Sequence, residues 1–161
     1  MFDRSDAFRK VTSMRPAEEL AAEALRRGER LRIKARGGSM LPFFRDGDVA
    51  LVTPTAGNGI GVGDVVCYET APGRLFLHRV IGRDADRFVA KGDALTFTDV
   101  IDGRHLLGKV VGLERRGRLE RLDTRAARWR NRMIVSLSHV IPRLVPLAIR
   151  LRRIVRAALR G

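Results

Sequence analysis

The chain has 161 residues, of which 45% are hydrophobic, so it is long enough for one domain with a buried core and additional segments. It contains one cysteine, which excludes an internal disulfide and any need for an oxidising compartment. The formal net charge is +14, which indicates an anionic partner.

The positive charge is concentrated in the C-terminal part of the chain. Residues 114–161 contain 14 arginines, no lysine and three acidic residues, which gives a net charge of +11. The first 113 residues therefore carry only +3. This asymmetry predicts that the C-terminal part meets an anionic surface, either a membrane or a nucleic acid.

The sequence carries no visible signal for export or for crossing a membrane. Its first residues are charged every few positions and lack the apolar stretch of a secretory signal peptide. No run of about 18 uninterrupted apolar residues occurs, so a simple membrane-spanning helix is not expected. We therefore expect a cytoplasmic protein, or one associated peripherally with the inner face of the membrane.

The predicted elements begin with a helix over residues 16–27, in which a proline occupies the first position and two glutamates the first turn. A short strand over residues 31–35 leads into a Gly-Gly bend. Short apolar runs predict five further strands, at 49–52, 65–68, 75–81, 88–90 and 106–113. Many short strands separated by Gly and Asp turns predict a mainly β protein with a compact antiparallel domain.

The C-terminal part is predicted to end in a basic amphipathic helix. Residues 147–159 place apolar side chains at helical spacing among arginines. Such a helix suits a membrane interface, where arginine stems reach toward anionic headgroups, and residues 124–160 are the predicted contact. Packing against the domain or against another copy is the next alternative, and nucleic acid is the least favoured partner.

A hydroxyl, an imidazole and two carboxylates occur in an order that suits nucleophilic catalysis. Ser39 follows two glycines, and a serine hydroxyl needs a positioned base to attack at neutral pH. His78 is the candidate base, because an imidazole with a pKa of about 6.5 accepts a proton without large tuning. Asp93 and Asp99 compete to orient the imidazole, and the sequence does not decide between them. Together these residues predict a serine peptidase site.

The same residues lie in motifs that resemble those of type I signal peptidases and their relatives, the self-cleaving SOS repressors. In this chain, Gly38-Ser39-Met40-Leu41-Pro42 followed by Asp46-Gly47-Asp48-Val49 is similar to the nucleophile segment of that family. Three later segments of this chain are similar to further motifs of the family: residues 63–68, Lys91-Gly92-Asp93 with Asp99 six positions beyond, and residues 107–112. The motifs occur in the order found in the family and cover roughly residues 30–113.

His78 stands where bacterial signal peptidases carry a catalytic lysine, so the chain resembles the endoplasmic-reticulum, archaeal and sporulation-type branch instead. In that branch both Asp93 and Asp99 would line the site. The resemblance implies a serine endopeptidase that cleaves a leader or signal-like peptide after small residues. It implies no cofactor and no metal.

The resemblance also implies how substrate is held. The backbone N–H of Ser39 would bind the oxyanion, and Gly37 stands where bacterial relatives often supply a side-chain hydroxyl. Met40 and Pro42 are expected to shape the substrate groove.

We therefore expect three parts: an N-terminal helical segment over residues 1–29, a catalytic domain over 30–113, and an Arg-rich helical tail over 114–161. Two other functions remain open, a non-catalytic peptide-binding module on the same fold and a self-cleaving repressor-like regulator. Against the repressor, residues 1–30 offer one helix, which is too little for a helix-turn-helix domain.

Overall fold

The computed structural model describes residues 9–11, 15–71 and 73–144. Its helices and strands, in chain order, are β1 (Arg9–Val11), α1 (Arg15–Arg26), β2 (Leu31–Lys34), β3 (Val49–Thr53), β4 (Val65–Ala71), β5 (Arg74–Asp84), β6 (Arg87–Lys91), β7 (Asp99–Asp102), β8 (Leu106–Arg115), β9 (Arg118–Arg121) and α2 (Arg125–Ser136). Short 3-10 helices occur at Gly57–Gly59 and Gly103–His105.

The strands form one sheet in the order β1-β2-β3-β8-β4-β5-β6-β7, with β9 paired to β8. The pairing of β1 with β2 is parallel, and every other pair in the described residues is antiparallel. The structure therefore confirms the predicted mainly antiparallel β class, with a short helix near the N-terminus and a second helix toward the C-terminus.

The sheet is buried on both faces near its centre, and β4 shows why. Successive side chains of a strand point to opposite faces. Val65 and Cys67 accordingly join one apolar cluster, and Val66 and Tyr68 join another. Because all four are almost completely buried, β4 reads as a continuous apolar run rather than an alternating one.

Helix α1 covers the first of these clusters. Its residues Ala21, Ala22 and Leu25 are buried there, beside Val65 and Val52 of the sheet. The apolar positions recur at three- and four-residue spacing, which is the pattern of a helix with one buried face. The N-terminal helical segment is thus packed into the core of the domain.

Helix α2 packs on the domain through a second set of buried residues. Thr124 caps its N-terminus, and the Thr124 hydroxyl accepts a hydrogen bond from the N–H of Ala127. Ala127, Asn131 and Ile134 are buried, and helical hydrogen bonds continue beyond Ser136 toward residue 144. The tail therefore packs on the domain over this stretch, whereas residues 147–159 lie outside the described residues.

Three strands were not anticipated, namely β1, β7 and β9. Strands β8 and β9 carry the sheet to residue 121, past the expected boundary at residue 113. No helix within the described ranges is both long enough and apolar enough to cross a bilayer.

Candidate active site

The imidazole of His78 lies in a buried aromatic pocket formed by neighbouring strands. His78 is on β5, opposite Val66 of β4, so its ring shares a face with Tyr68. The ring centroids of Tyr68 and Phe76 each lie 5.8 Å from that of His78. Only 4% of His78 is exposed, so its surroundings are poor in water.

Asp99 is the carboxylate that contacts this imidazole. It begins β7 and pairs with Ala90 of β6, which brings it back beside β5. Its Oδ2 lies 3.0 Å from His78 Nδ1 and 2.6 Å from the Tyr68 hydroxyl, which donates to it. The same hydroxyl oxygen lies 2.7 Å from His78 Nδ1, so the three groups form a closed triangle.

The electrostatics of this triangle leave the other ring nitrogen with a lone pair available to accept a proton. Burial lowers the pKa of His78, and the nearby Asp99 only partly opposes this, so the ring is neutral at neutral pH. Burial and the hydrogen bond to Asp99 raise the pKa of Tyr68, which keeps the phenol protonated. Because the phenol proton goes to Asp99, Nδ1–H is the ring's donor and Nε2 carries the lone pair. Nε2 makes no hydrogen bond to any described residue.

Asp93 has a different partner. Its two carboxylate oxygens accept hydrogen bonds of 2.8 Å from Nε and Nη2 of Arg79. Arg79 also donates to the carbonyl of Gly63 and lies over the Phe43 ring. Both members of the pair are buried, so Asp93 holds a structural ion pair and makes no hydrogen bond to His78.

Ser39 lies in a turn packed against the loop that follows β6. Its carbonyl accepts a 2.8 Å hydrogen bond from the N–H of Ala94. A Cβ atom on Gly92 would lie 2.7 Å from that carbonyl oxygen, so only glycine permits this approach. The Ser39 hydroxyl and backbone N–H make no hydrogen bond to the described residues, which leaves both available to a ligand.

A cleft of about 230 Å³ opens beside Ser39. Met40 lines it from the core side, whereas Pro42 is exposed and lies outside its lining. Phe76 connects the two parts of the site, because it lines the cleft with Ser39 and packs against His78. No hydrogen bond joins Ser39 to His78 in the described structure.

The structure therefore brings His78 and Asp99 into contact and places Asp93 in an ion pair with Arg79. Sequence reasoning missed Tyr68, the only tyrosine of the chain, and Arg79. Tyr68 lies two residues from Val66, the residue that pairs with His78 across the strands. Its hydroxyl, directly after the apolar run Val65-Val66-Cys67, was the available signal.

No cluster of three or more His, Cys, Asp or Glu side chains suited to a metal ion occurs in the described part of the chain. The single cysteine, Cys67, is buried, and burial raises the pKa of its thiol to about 12. Its thiol is therefore protonated at neutral pH, and the Ser39 hydroxyl is another nucleophilic group that borders the cleft.

Comparison with known proteins assigns no family to the chain. No model of a protein family matches it, and no curated protein is significantly similar to it. The geometry and the motifs are accordingly the basis for assigning a function.

Proposed function

We propose that the chain is a serine endopeptidase of the signal-peptidase type. The observation that carries the proposal is the contact of His78 Nδ1 with Asp99 and Tyr68, which leaves Nε2 with a lone pair and no partner among the described residues. A general base needs this combination of a fixed tautomer and a vacant acceptor.

In the proposed reaction, Ser39 Oγ attacks the carbonyl carbon of the scissile peptide bond while His78 Nε2 takes the hydroxyl proton. The resulting oxyanion is held by the N–H of Ser39. His78 then returns the proton to the leaving amine, and the C–N bond breaks to give an acyl-enzyme. Water, deprotonated by the same imidazole, attacks the ester, the bond between the carbonyl carbon and Ser39 Oγ breaks, and His78 returns the proton to Ser39 Oγ as the acid product leaves.

Asp99 and Tyr68 act in this scheme through the imidazole. The carboxylate stabilises the imidazolium that forms in each proton transfer, and both groups fix the plane of the ring. Catalytic hydrogen bonds are often long or poorly aligned before substrate binds and tighten in the complex, so in this scheme the hydrogen bond between Ser39 and His78 forms when the peptide binds.

The proposed substrate is an extended leader or signal-like peptide bound in the cleft beside Ser39. The lining of the cleft is largely apolar and includes Leu75 and Leu77, together with Lys34 and Arg36. Its small volume favours small side chains next to the cleaved bond. We place this activity in the cytoplasm or at the inner face of the membrane.

The test is cleavage of a peptide library by wild type, Ser39→Ala and His78→Ala, read by mass spectrometry. His105→Ala and Ser136→Ala are matched controls, because both residues are exposed and lie away from the cleft. We expect wild type and controls to release products ending in small residues, and the two site variants to release none.

Cleavage by Ser39→Ala at the wild-type rate would overturn the proposal. Equal peptide affinity in wild type and Ser39→Ala, with no product from either, would identify a peptide-binding module instead.

A further inference from the structure

A row of large apolar side chains is exposed along the tail helix and its continuation. Trp129 is 68% exposed, and Met133 and Leu137 are 45% and 51% exposed. Val140 and Leu144 extend the row, so its members recur every three or four residues. The opposite side of α2 is buried against the domain, which leaves this row without a partner in the described structure.

Arginines flank the row on the same helix. Arg125, Arg128 and Arg132 are exposed and form no ion pair with any described residue, whereas Arg130 is paired with Glu120. No acidic residue occurs from residue 124 to residue 144. This face therefore combines apolar side chains with uncompensated positive charge.

The three arginines also border a cleft of about 480 Å³ between α2 and the glycine-rich loop 57–63. Trp129 and Val62 lie at this cleft, and Val62 is itself 42% exposed. The loop lies against the helix at Gly63, where a Cβ atom would meet the backbone of Asn131 and Arg132 at 3.3 Å. The cleft thus has three arginines on its helix side and the glycine-rich loop with the Asp64–Lys109 ion pair on the other, and it opens beside the apolar row.

We propose that this face docks on a bilayer that contains anionic phospholipid. The headgroup phosphate would bind between loop 57–63 and the guanidinium groups of Arg128 and Arg132. Trp129, Met133 and Leu137 would enter the interfacial region of the bilayer. Arginine beside tryptophan and aliphatic side chains is the composition that such an interface selects.

The observations favour this partner over the other two classes. A second copy of the chain would bring like-charged arginine rows together, which opposes self-association through this face. A nucleic acid would satisfy the arginines but leave the aliphatic row in water. The proposal does not rest on the peptidase activity, because no residue of the His78 triangle takes part.

Trp129 provides a direct probe, since it is the only tryptophan in the protein. The experiment titrates the full-length protein with phosphatidylcholine vesicles, with and without phosphatidylglycerol, and records tryptophan fluorescence. We expect binding and a blue shift with the anionic vesicles, and neither with phosphatidylcholine alone. Brominated lipid should quench the emission, which places Trp129 in the bilayer.

Two double variants separate the contributions of charge and apolar surface. Arg128→Gln/Arg132→Gln should weaken vesicle binding about tenfold or more, whereas Arg87→Gln/Arg118→Gln, which removes the same charge elsewhere, should weaken it much less. Met133→Asn/Leu137→Asn should reduce affinity and the blue shift. Its control, Val100→Asn/Leu119→Asn, alters two exposed apolar residues on strands and should change neither.

Ser39→Ala should bind vesicles like wild type, so failure of the peptidase proposal and failure of this one are distinguishable. Vesicle binding without a change in Trp129 emission would overturn the proposal, as would equal losses in the variants and their controls. Tight binding of soluble glycerol phosphate, a stronger Trp129 response to an oligonucleotide, or self-association at Trp129 without lipid would each overturn it in favour of that partner.

Discussion

Asp93 and Asp99 lie six residues apart, and their surroundings give them different tasks. Asp93 is 3% exposed and its partner Arg79 is 1% exposed, so water could not solvate either charge if its partner were removed. The side chain of Asp99 is one-third exposed and contacts two groups that are neutral at neutral pH. Loss of Asp93 thus leaves the buried charge of Arg79 unpaired, whereas loss of Asp99 removes a hydrogen bond that fixes the His78 ring.

We predict that Asp93→Ala lowers the free energy of unfolding by about 3–5 kcal/mol, because it strands the Arg79 guanidinium. Asp99→Ala should cost about 1 kcal/mol of stability and reduce peptide cleavage by about 100-fold or more. Urea denaturation and cleavage rates measure the two effects. Equal stability losses in the two variants would contradict the assignment of Asp93 to a structural pair.

The buried imidazole predicts a specific dependence of stability on pH. Burial holds the pKa of His78 below its ordinary value of 6.5, so the unfolded chain takes up this proton before the folded protein does. Stability from this residue is complete above pH 6.5 and is lost as the pH falls toward the folded-state pKa. Between about pH 7.5 and about pH 5, the unfolding free energy of wild type should fall more steeply than that of His78→Gln.

Urea titrations across this range provide the measurement, with His105→Gln as the control for removal of an exposed histidine. The control should follow wild type. If the curves of wild type and His78→Gln stayed parallel, His78 would not be a buried, neutral group.

At the scale of elements, the site depends on how closely the Ser39 turn approaches the loop after β6. We predict that Gly92→Ala displaces this turn, because the new Cβ would lie 2.7 Å from the Ser39 carbonyl oxygen and 2.8 Å from Leu95 Cδ1. The expected cost is about 1–3 kcal/mol in stability, with a larger relative loss of peptide cleavage. Urea denaturation and peptide cleavage measure these losses.

Gly82→Ala is the matched control, since its nearest neighbour would be Val89 Cβ at an ordinary 3.6 Å. A Gly92→Ala protein that unfolds and cleaves like Gly82→Ala would show that the close approach has no consequence for the site.

The elements also show how far periodicity predicts structure. Helix α1 was expected over 16–27 and spans Arg15–Arg26, and the five expected central strands all form with longer ends. Strand β9 was missed because its sequence, Arg-Leu-Glu-Arg, is exposed throughout and carries no apolar alternation. Strand β7 was missed because it begins and ends with an aspartate and buries only Ile101. Pairing with a neighbouring strand, not local composition, defines both.

For the whole molecule, sequence order identified candidate residues but not the faces on which they lie. The chain order gave no means of choosing between Asp93 and Asp99, because the choice depends on which face of the sheet each loop reaches. Strand β7 adds the last position of the sheet and returns Asp99 to the His78 side, whereas Asp93 stays with Arg79. Long-range strand pairing of this kind leaves no mark within a short stretch of sequence.

The two clefts also belong to the whole molecule, since each is assembled from segments far apart in the chain. The cleft at Ser39 joins α1 to β5, and the cleft at Trp129 joins loop 57–63 to α2. Charge counting predicted that the tail would meet an anionic surface. Charge counting gave no indication that loop 57–63, about 70 residues earlier in the chain, would form the other wall of the cleft beside α2.

The three residues that end and follow β6 each contact a different part of the protein. Lys91 donates to the carbonyl of Ser138 beyond α2, Gly92 lies against Ser39, and Asp93 binds Arg79. A replacement within this tripeptide would disturb the tail, the Ser39 turn or strand β5. Its mutational tolerance is therefore very low, and an evolving chain can change the surfaces around it far more freely than these three positions.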